Sequence, residues 1–471
     1  MQLRTLDTGM GRRRLTGIWL PSVVAVLVAV GVAGCAAGYA RYMGKTLGRM
    51  QNRDWAGALR KLEKPKGSTN LLLYRLEKGL ILHYAGDWVA SNAQFERAER
   101  LIDKHYTRSV SREIVALLTN DAIRAYSGEE FERVLIHYYR ALNYLHLDDP
   151  QGALVECRKA NLRLANFAAA SEVELSYKND AFLQYLTGQL YDAEGDLNDA
   201  YISYRDAAKG YAAYESQFGL HSPPPLATDM RRSTQRLGFA QEWIDAQSRW
   251  GLDPGQSQVP APVPGTMTVF AESGFVGHKG QQEISLPIME DDDTSDVWNI
   301  SDRMVTRYHN PRHRHHVKYW LKIALPVHLP GGSAVAGVRL RVGDQVTQGW
   351  LVEDLDAIAA RSLKEKQDSI MLRTAARAIF KWAVTEKAED ESEILGFFVN
   401  LFGAGTEAAD TRSWVGLPQT IWMARAEVPP GTASVVLEFI NAGGSVIDEH
   451  VFTDLDSSGD HPLFLSWRSF R

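Results

Sequence analysis

The feature that most constrains this chain is a spacing in its first half. Gly188 is followed three residues on by Tyr191, then by the turn Gly195-Asp196-Leu197, then by Ala200, Tyr204 and Ala207. Small residues at such positions let two antiparallel helices cross closely, while the tyrosines fill the space beside the crossing. The register recurs. Gly79, Gly86-Asp87-Trp88, Ser91, Phe95 and Ala98 form a second unit, and Ala141, Tyr144, Ala153, Cys157 and Ala160 a third. Asp54-Trp55, Ala58 and Leu62 read as the second helix of an earlier unit, with Ala58 lying 33 residues before Ser91.

This is the tetratricopeptide pattern, with an expected repeat of about 34 residues. The later intervals do not keep step, being 62 from Ser91 to Ala153 and 47 from Ala153 to Ala200. An extra helix over Ser111 to Tyr126 and a loop near Ala168 to Lys178 are therefore expected to interrupt the array. An irregular all-α solenoid is predicted over residues 35–250. First helices line the concave face of such a solenoid and bind peptides there. The register puts Tyr138 and Leu142, then Phe182, Tyr185, Gln189 and Asp192, on that face as partner-binding candidates. With interrupted repeats, aromatics at helical spacing more often pack against the next helix, so Phe182 and Tyr185 are read first as core. Gln189 and Asp192 are expected at the surface.

The run Gly128-Glu129-Glu130-Phe131-Glu132-Arg133-Val134-Leu135-Ile136-His137-Tyr138-Tyr139, with Ala141 to Tyr144 and Val155 to Asn161, resembles an uncharacterised family of proteobacterial tetratricopeptide-repeat-containing outer-membrane lipoproteins. Asp410-Thr411-Arg412-Ser413-Trp414 and Leu417-Pro418 resemble the same family. The resemblance implies a place in an envelope complex and brings no enzymatic activity with it. From chemistry alone, Glu129, Glu130 and Glu132 suit the first turn of a helix, where carboxylates favour the positive end of the dipole. A catalytic carboxylate pair would need a pocket at fixed distance.

Leu15 to Cys35 ends in Val32-Ala33-Gly34-Cys35, which reads as a lipobox after Arg12, Arg13 and Arg14. Cys35 is then the lipidation site, and residues 1–34 are a signal peptide. Several acyl chains on one cysteine anchor a protein without a membrane-spanning segment. The alternative is an uncleaved helix, since Ile18 to Ala37 is about long enough to cross a bilayer. In the Gram-negative lipoproteins this segment resembles, a residue other than Asp after the cysteine, here Ala36, implies transfer to the outer membrane facing the periplasm, with the inner membrane as the alternative. Removing residues 1–34 takes away four arginines and one aspartate, so a net charge of −5 becomes −8. That balance argues against nucleic acid. Cys157 has no partner cysteine and is expected to be a buried small residue.

Gly251 to Gly265, with four prolines, reads as an extended linker between two domains. Beyond it, over 266–471, the apolar period becomes two. Thr266–Phe270, Val317–Leu325, Ala334–Val342, Thr420–Glu427, Ser434–Asn441 and Leu463–Trp467 are expected strands, and Asn441 to Ser445 a hairpin turn into Val446–Phe452. They suggest an antiparallel β-sandwich, with a barrel as the alternative. A helical hairpin over 354–404 interrupts them, its first arm Asp354 to Lys387. The chain is thus read as α+β and multidomain.

Asp410, Arg412 and Trp414 suit either loop bracing or binding. His309, His313, His315 and His316 are the weak metal candidates, set among Arg307, Arg312 and Arg314, which repel a cation. Two functions are expected to compete. One is a non-enzymatic, membrane-anchored scaffold for envelope proteins or peptides, with no cofactor and no small-molecule substrate. The other is a metal-dependent envelope enzyme built on His309–His316.

Overall fold

The computed structural model describes residues 38–108, 124–170, 177, 179–253, 260–290, 316–388, 408–453, 455 and 461–471. Helices come first: α1 (Tyr39–Gln51), α2 (Trp55–Lys61), α3 (Leu71–Tyr84), α4 (Trp88–Arg108), α5 (Glu130–His146), α6 (Pro150–Ala170), α7 (Ala181–Ala193), α8 (Leu197–Phe218), α9 (Pro224–Leu237) and α10 (Ala240–Trp250). They stack as antiparallel pairs, α1 with α2, α3 with α4, α5 with α6 and α7 with α8. The small positions are where the pairs touch. Ala58, Ser91, Ala98, Ala153, Cys157, Ala160, Ala200 and Ala207 are all buried. A side chain at Gly188 would come within 2.5 Å of the Tyr204 ring, so the crossing needs glycine. The Cys157 thiol, free and enclosed, is pushed up to about 12 by burial.

Between Pro224 and Trp250 the chain forms two helices, because Gly238 takes φ +74° and ends α9 with a left-handed cap. One local expectation changes. Helix α6 runs to Ala170, into the stretch read as a loop, while residues 171–176 and nearly all of Ser111 to Tyr126 lie outside the described residues.

The second half contains β1 (Thr266–Ser273), β2 (His278–Glu290), β3 (His316–Leu329), β4 (Gly337–Val342), β5 (Gln345–Gln348), β6 (Trp350–Asp354), α11 (Leu355–Ala388), β7 (Thr420–Glu427), β8 (Ser434–Ile440), β9 (Val446–Thr453) and β10 (Leu463–Ser469). Two four-stranded sheets, ordered β10-β1-β7-β6 and β5-β4-β8-β9, pack face to face, and β2 with β3 forms a separate ribbon. The sandwich is not wholly antiparallel, since β1 pairs with β10 in parallel. These strands come from opposite ends of the half, so no short hairpin dictates their direction. The insertion is described only as the helix α11; Ile394 to Gly403 lies outside the described residues. Its start is fixed by Asp354, whose Oδ1 accepts from Ala357 N at 3.0 Å, and by Asp356, which takes the amides of Gly277 and Gly331.

The first sheet is buried on both faces. Met267, Val269 and Ala271 of β1 meet the second sheet, while Phe270 between them joins the same core as the helices. Strand β7 does likewise, with Ala424 and Ala426 turned one way and Ile421 and Met423 the other. The linker therefore does not separate two independent bodies. It carries the chain back so that its sheet lies against the solenoid, and Leu252 and Pro260 along it are themselves engaged.

Candidate functional site

The residues expected to grip a partner lie under the chain's own sheet. Tyr138, Leu142, Phe182, Tyr185 and Gln189 are essentially inaccessible, and Asp192 is nearly so. Phe182 meets Phe270 edge-on with ring centroids 5.6 Å apart. Gln189 Nε2 lies 3.3 Å from Met423 Sδ, Tyr211 OH donates to Val352 O at 2.9 Å, and Tyr214 OH points to Glu353. The groove exists, and β1, β6 and β7 fill it. The surface expected at Gln189 and Asp192 is absent: Gln189 faces Met423 of the sheet, and Asp192 is enclosed between helices, accepting from Arg232 of α9 at 2.5 Å and Tyr204 OH of α8 at 3.1 Å.

Polar groups in the seam are arranged around three sheet residues. Arg425 of β7 reaches both oxygens of Asp229 on α9 at 3.1 Å, Pro260 O at 3.0 Å and Thr268 Oγ1 at 3.1 Å. Tyr185 OH donates to the same Asp229 at 2.8 Å. Arg468 of β10 donates to the carbonyls of Gly274, Gly416 and Leu417 and to Tyr84 OH, which in turn donates to Glu272 at 2.5 Å. His83 and His146 stand nearby, held neutral by burial at about 3 and about 4.

A loop of the second half completes the tie. Arg412 forks onto Asp410 at 2.8 and 2.6 Å and reaches the carbonyls of Thr69 and Arg124 on the helical side. Trp414 is wholly buried between Phe95 and Tyr139, and its backbone N–H donates to Glu132 Oε1 at 2.7 Å. Trp414 thus enters the helical half. Glu129 and Glu132 close a capping box on α5, and Glu129 and Glu130 ion-pair with Lys366 while Glu129 also takes Lys279. Burial resists ionisation of Glu129, but the two lysines outweigh it and hold its carboxyl far below the usual range. A cavity of about 20 Å³ beside these groups, lined by Glu132, Lys279, Ser413 and Trp414 among others, has room for about one water.

No family model matches the chain, and no curated protein is significantly similar to it. Two solved structures of MamA are similar in part. One, a crystal structure, is 15% identical, covers 44% of this chain and 87% of MamA, and superposes with a TM-score of 0.27. The other is 14% identical over 46% of this chain and 93% of MamA, also at 0.27. That overlap is too loose to carry an assignment, and the lipoprotein resemblance of Gly128 to Asn161 has no family match behind it.

Among the described residues, Glu99, His137 and Glu156 bring ligand atoms within 4.8 Å of one another. Those atoms are already engaged. His137 Nε2 accepts from Arg163 Nε at 3.3 Å, so its Nδ1–H donates to Glu156 at 2.8 Å. Arg140 bridges Glu99 and Glu156, Arg163 Nη2 lies 3.1 Å from Glu99, and Lys159 lies 2.9 Å from Glu156. Three cations around two carboxylates oppose a divalent ion, so the cluster clamps α4, α5 and α6. Zinc titration of the purified chain should find no site lost in His137→Ala, while that substitution should cost about 1–3 kcal/mol in a urea melt. His309, His313 and His315 lie outside the described residues; His316 opens β3 opposite Glu290. Cys35 also lies outside them, and among the described residues no helix is long and apolar enough to cross a membrane.

Proposed function

We propose that the protein is a lipid-anchored, non-enzymatic adaptor of the bacterial envelope, tethered at Cys35 to the outer membrane and facing the periplasm. The observation that carries this reading is the occupied groove. With its concave face filled by its own sheet, the solenoid acts as a wall of one fused body, and partners are met on the outside. The outer helices keep Val89, Val155 and Leu162 exposed, Leu162 at 61%. Val155 and Leu162, seven residues apart on α6, fall on one face of that helix and offer a partner an apolar contact.

The chain geometry agrees with a close tether. Tyr39, four residues beyond Cys35, is already packed in the core, and four residues span at most about 14 Å. A lipidated Cys35 would therefore hold the body against the bilayer surface. The test is metabolic labelling with palmitate followed by membrane fractionation. The wild-type chain should carry label and sediment with membranes, and Cys35→Ala should lose both, by at least about tenfold in the labelled fraction given the anchoring strength of several acyl chains. Label on Cys35→Ala, or an unlabelled wild-type chain in the cytosolic fraction, would overturn the anchor. Crosslinking in intact envelopes tests the adaptor: Val155→Asp with Leu162→Asp should weaken a reproducible adduct.

A further inference from the structure

Besides Asp229, which Arg425 and Arg232 neutralise, the carboxyl groups of Glu77, Glu132, Asp180, Glu272 and Glu353 are buried at the seam between helices and sheet. Among the described residues, Glu77 Oε2, Glu272 Oε1 and Glu353 Oε2 have no hydrogen-bond partner. A buried carboxylate with an unsatisfied oxygen is strongly disfavoured unless a cation compensates it. We propose that the seam is a pH-sensitive clasp, closed while Glu77 and Glu353 are neutral acids and loosened when their ionisation places unpaired charge between solenoid and sheet.

The surroundings of each group support this. Glu77, on α3, is faced by Tyr39 from α1, Glu132 from α5 and Arg468 from β10, and it accepts from Gly416 N at 3.3 Å. The approach is so close that a side chain at Gly416 would fall 2.2 Å from Glu77 Oε2. Arg468 already serves three backbone carbonyls, and Glu132 opposes its pull. Burial first, then Glu132, push the Glu77 carboxyl up to about 8 against the Gly416 amide and Arg468. Glu353, on β6, is acted on by Asp180 ahead of α7 and by Asp354 beside it, both acidic, with the hydroxyls of Tyr138, Tyr177, Tyr211 and Tyr214 around it. Burial and then those two acids hold it well above the usual range, with Tyr214 OH at 3.5 Å opposing weakly. Asp180 is itself raised to about 6 by burial, against bonds from Tyr177 and the Leu183 amide.

The sign follows from proton linkage. A raised native value means that the folded chain keeps a proton the unfolded chain has released, so stability falls as pH rises from about 4.5 through about 8. The buried neutral His83 and His146 act oppositely, and only below their ordinary value of 6.5. The clasp is therefore read from pH 6.5 to about 9, where those histidines contribute nothing.

Glutamine keeps the shape of the neutral acid. In the full mature chain, the thermal midpoint of the wild type should fall between pH 6.5 and 9 more steeply than that of Glu77→Gln/Glu353→Gln, whose remaining slope comes from Glu132, Glu272 and Cys157. At pH 9, amide exchange in 181–193 and 266–273 should be at least about tenfold faster in the wild type than in the double variant, compared at the same pH. If the double variant does not fold, Glu353→Gln alone serves for the same comparison. A glutamine variant as pH-dependent as the wild type, or less stable than it at pH 9, would overturn the clasp.

Discussion

Arg425→Ala destabilises the whole protein by about 3–5 kcal/mol, the range for breaking a buried ion pair from one side. The side chain is fully enclosed, and so is its partner Asp229, 196 positions earlier. Removing the guanidinium leaves Asp229 with Tyr185 OH at 2.8 Å and with Arg232, which it shares with Asp192. The loss also strips a donor from Pro260 O at the end of the linker and from Thr268 of β1. Arg425→Lys should recover little, because one ammonium cannot fork across Asp229 while reaching Pro260 and Thr268. A urea melt followed by far-UV circular dichroism checks the size. A cost below 1 kcal/mol would mean that β7 does not sit on α9.

Trp414→Ala is expected to cost about 3–5 kcal/mol, as for other buried aromatics truncated in a core. Its indole packs 5.8 Å from the Phe95 ring and 5.9 Å from that of Tyr139, so truncation opens a cavity inside the helical half although the residue belongs to the second. The consequence is cooperative. Wild-type unfolding should follow one transition by both tryptophan fluorescence and circular dichroism, and Trp414→Ala should shift both curves together. Two separate transitions would show halves that fold independently.

The helical half was legible because its glycines and alanines mark helix crossings directly: Gly79, Gly188, Ala153 and Ala200 each fall where a neighbouring helix presses close. The strands were legible from alternation, except β2, β5 and β6. Alternation misled about what the other face meets. Thr268, Glu272, Arg425 and Arg468 look like the wet side of a sheet, the usual reading of polar residues in alternate positions. Instead Arg425 pairs with Asp229, and Glu272 and Arg468 with Tyr84, across the seam, while Thr268 accepts from Arg425 within the sheet. Local spacing cannot reveal this, because the partners are 188 positions apart for Tyr84 and Glu272 and 384 for Tyr84 and Arg468. A signal was present in the solenoid. Tyr138 and Tyr185 on the inner helices, with Tyr211 and Tyr214 near the end of α8, are more aromatic hydroxyls than a groove open to water needs, and three of the four reach the sheet or Asp229. Asp410 and Arg412 were legible as a brace, whereas the depth reached by Trp414 depends on contacts that no local pattern encodes.

The double-mutant cycle of Asp229→Ala with Arg425→Ala measures whether the sheet is seated in the solenoid. A seated sheet makes the two losses strongly non-additive, the double variant being about as stable as the weaker single variant, with a coupling of about 2–3 kcal/mol. Additive losses, within about 0.5 kcal/mol, would place the two side chains apart and leave the groove empty.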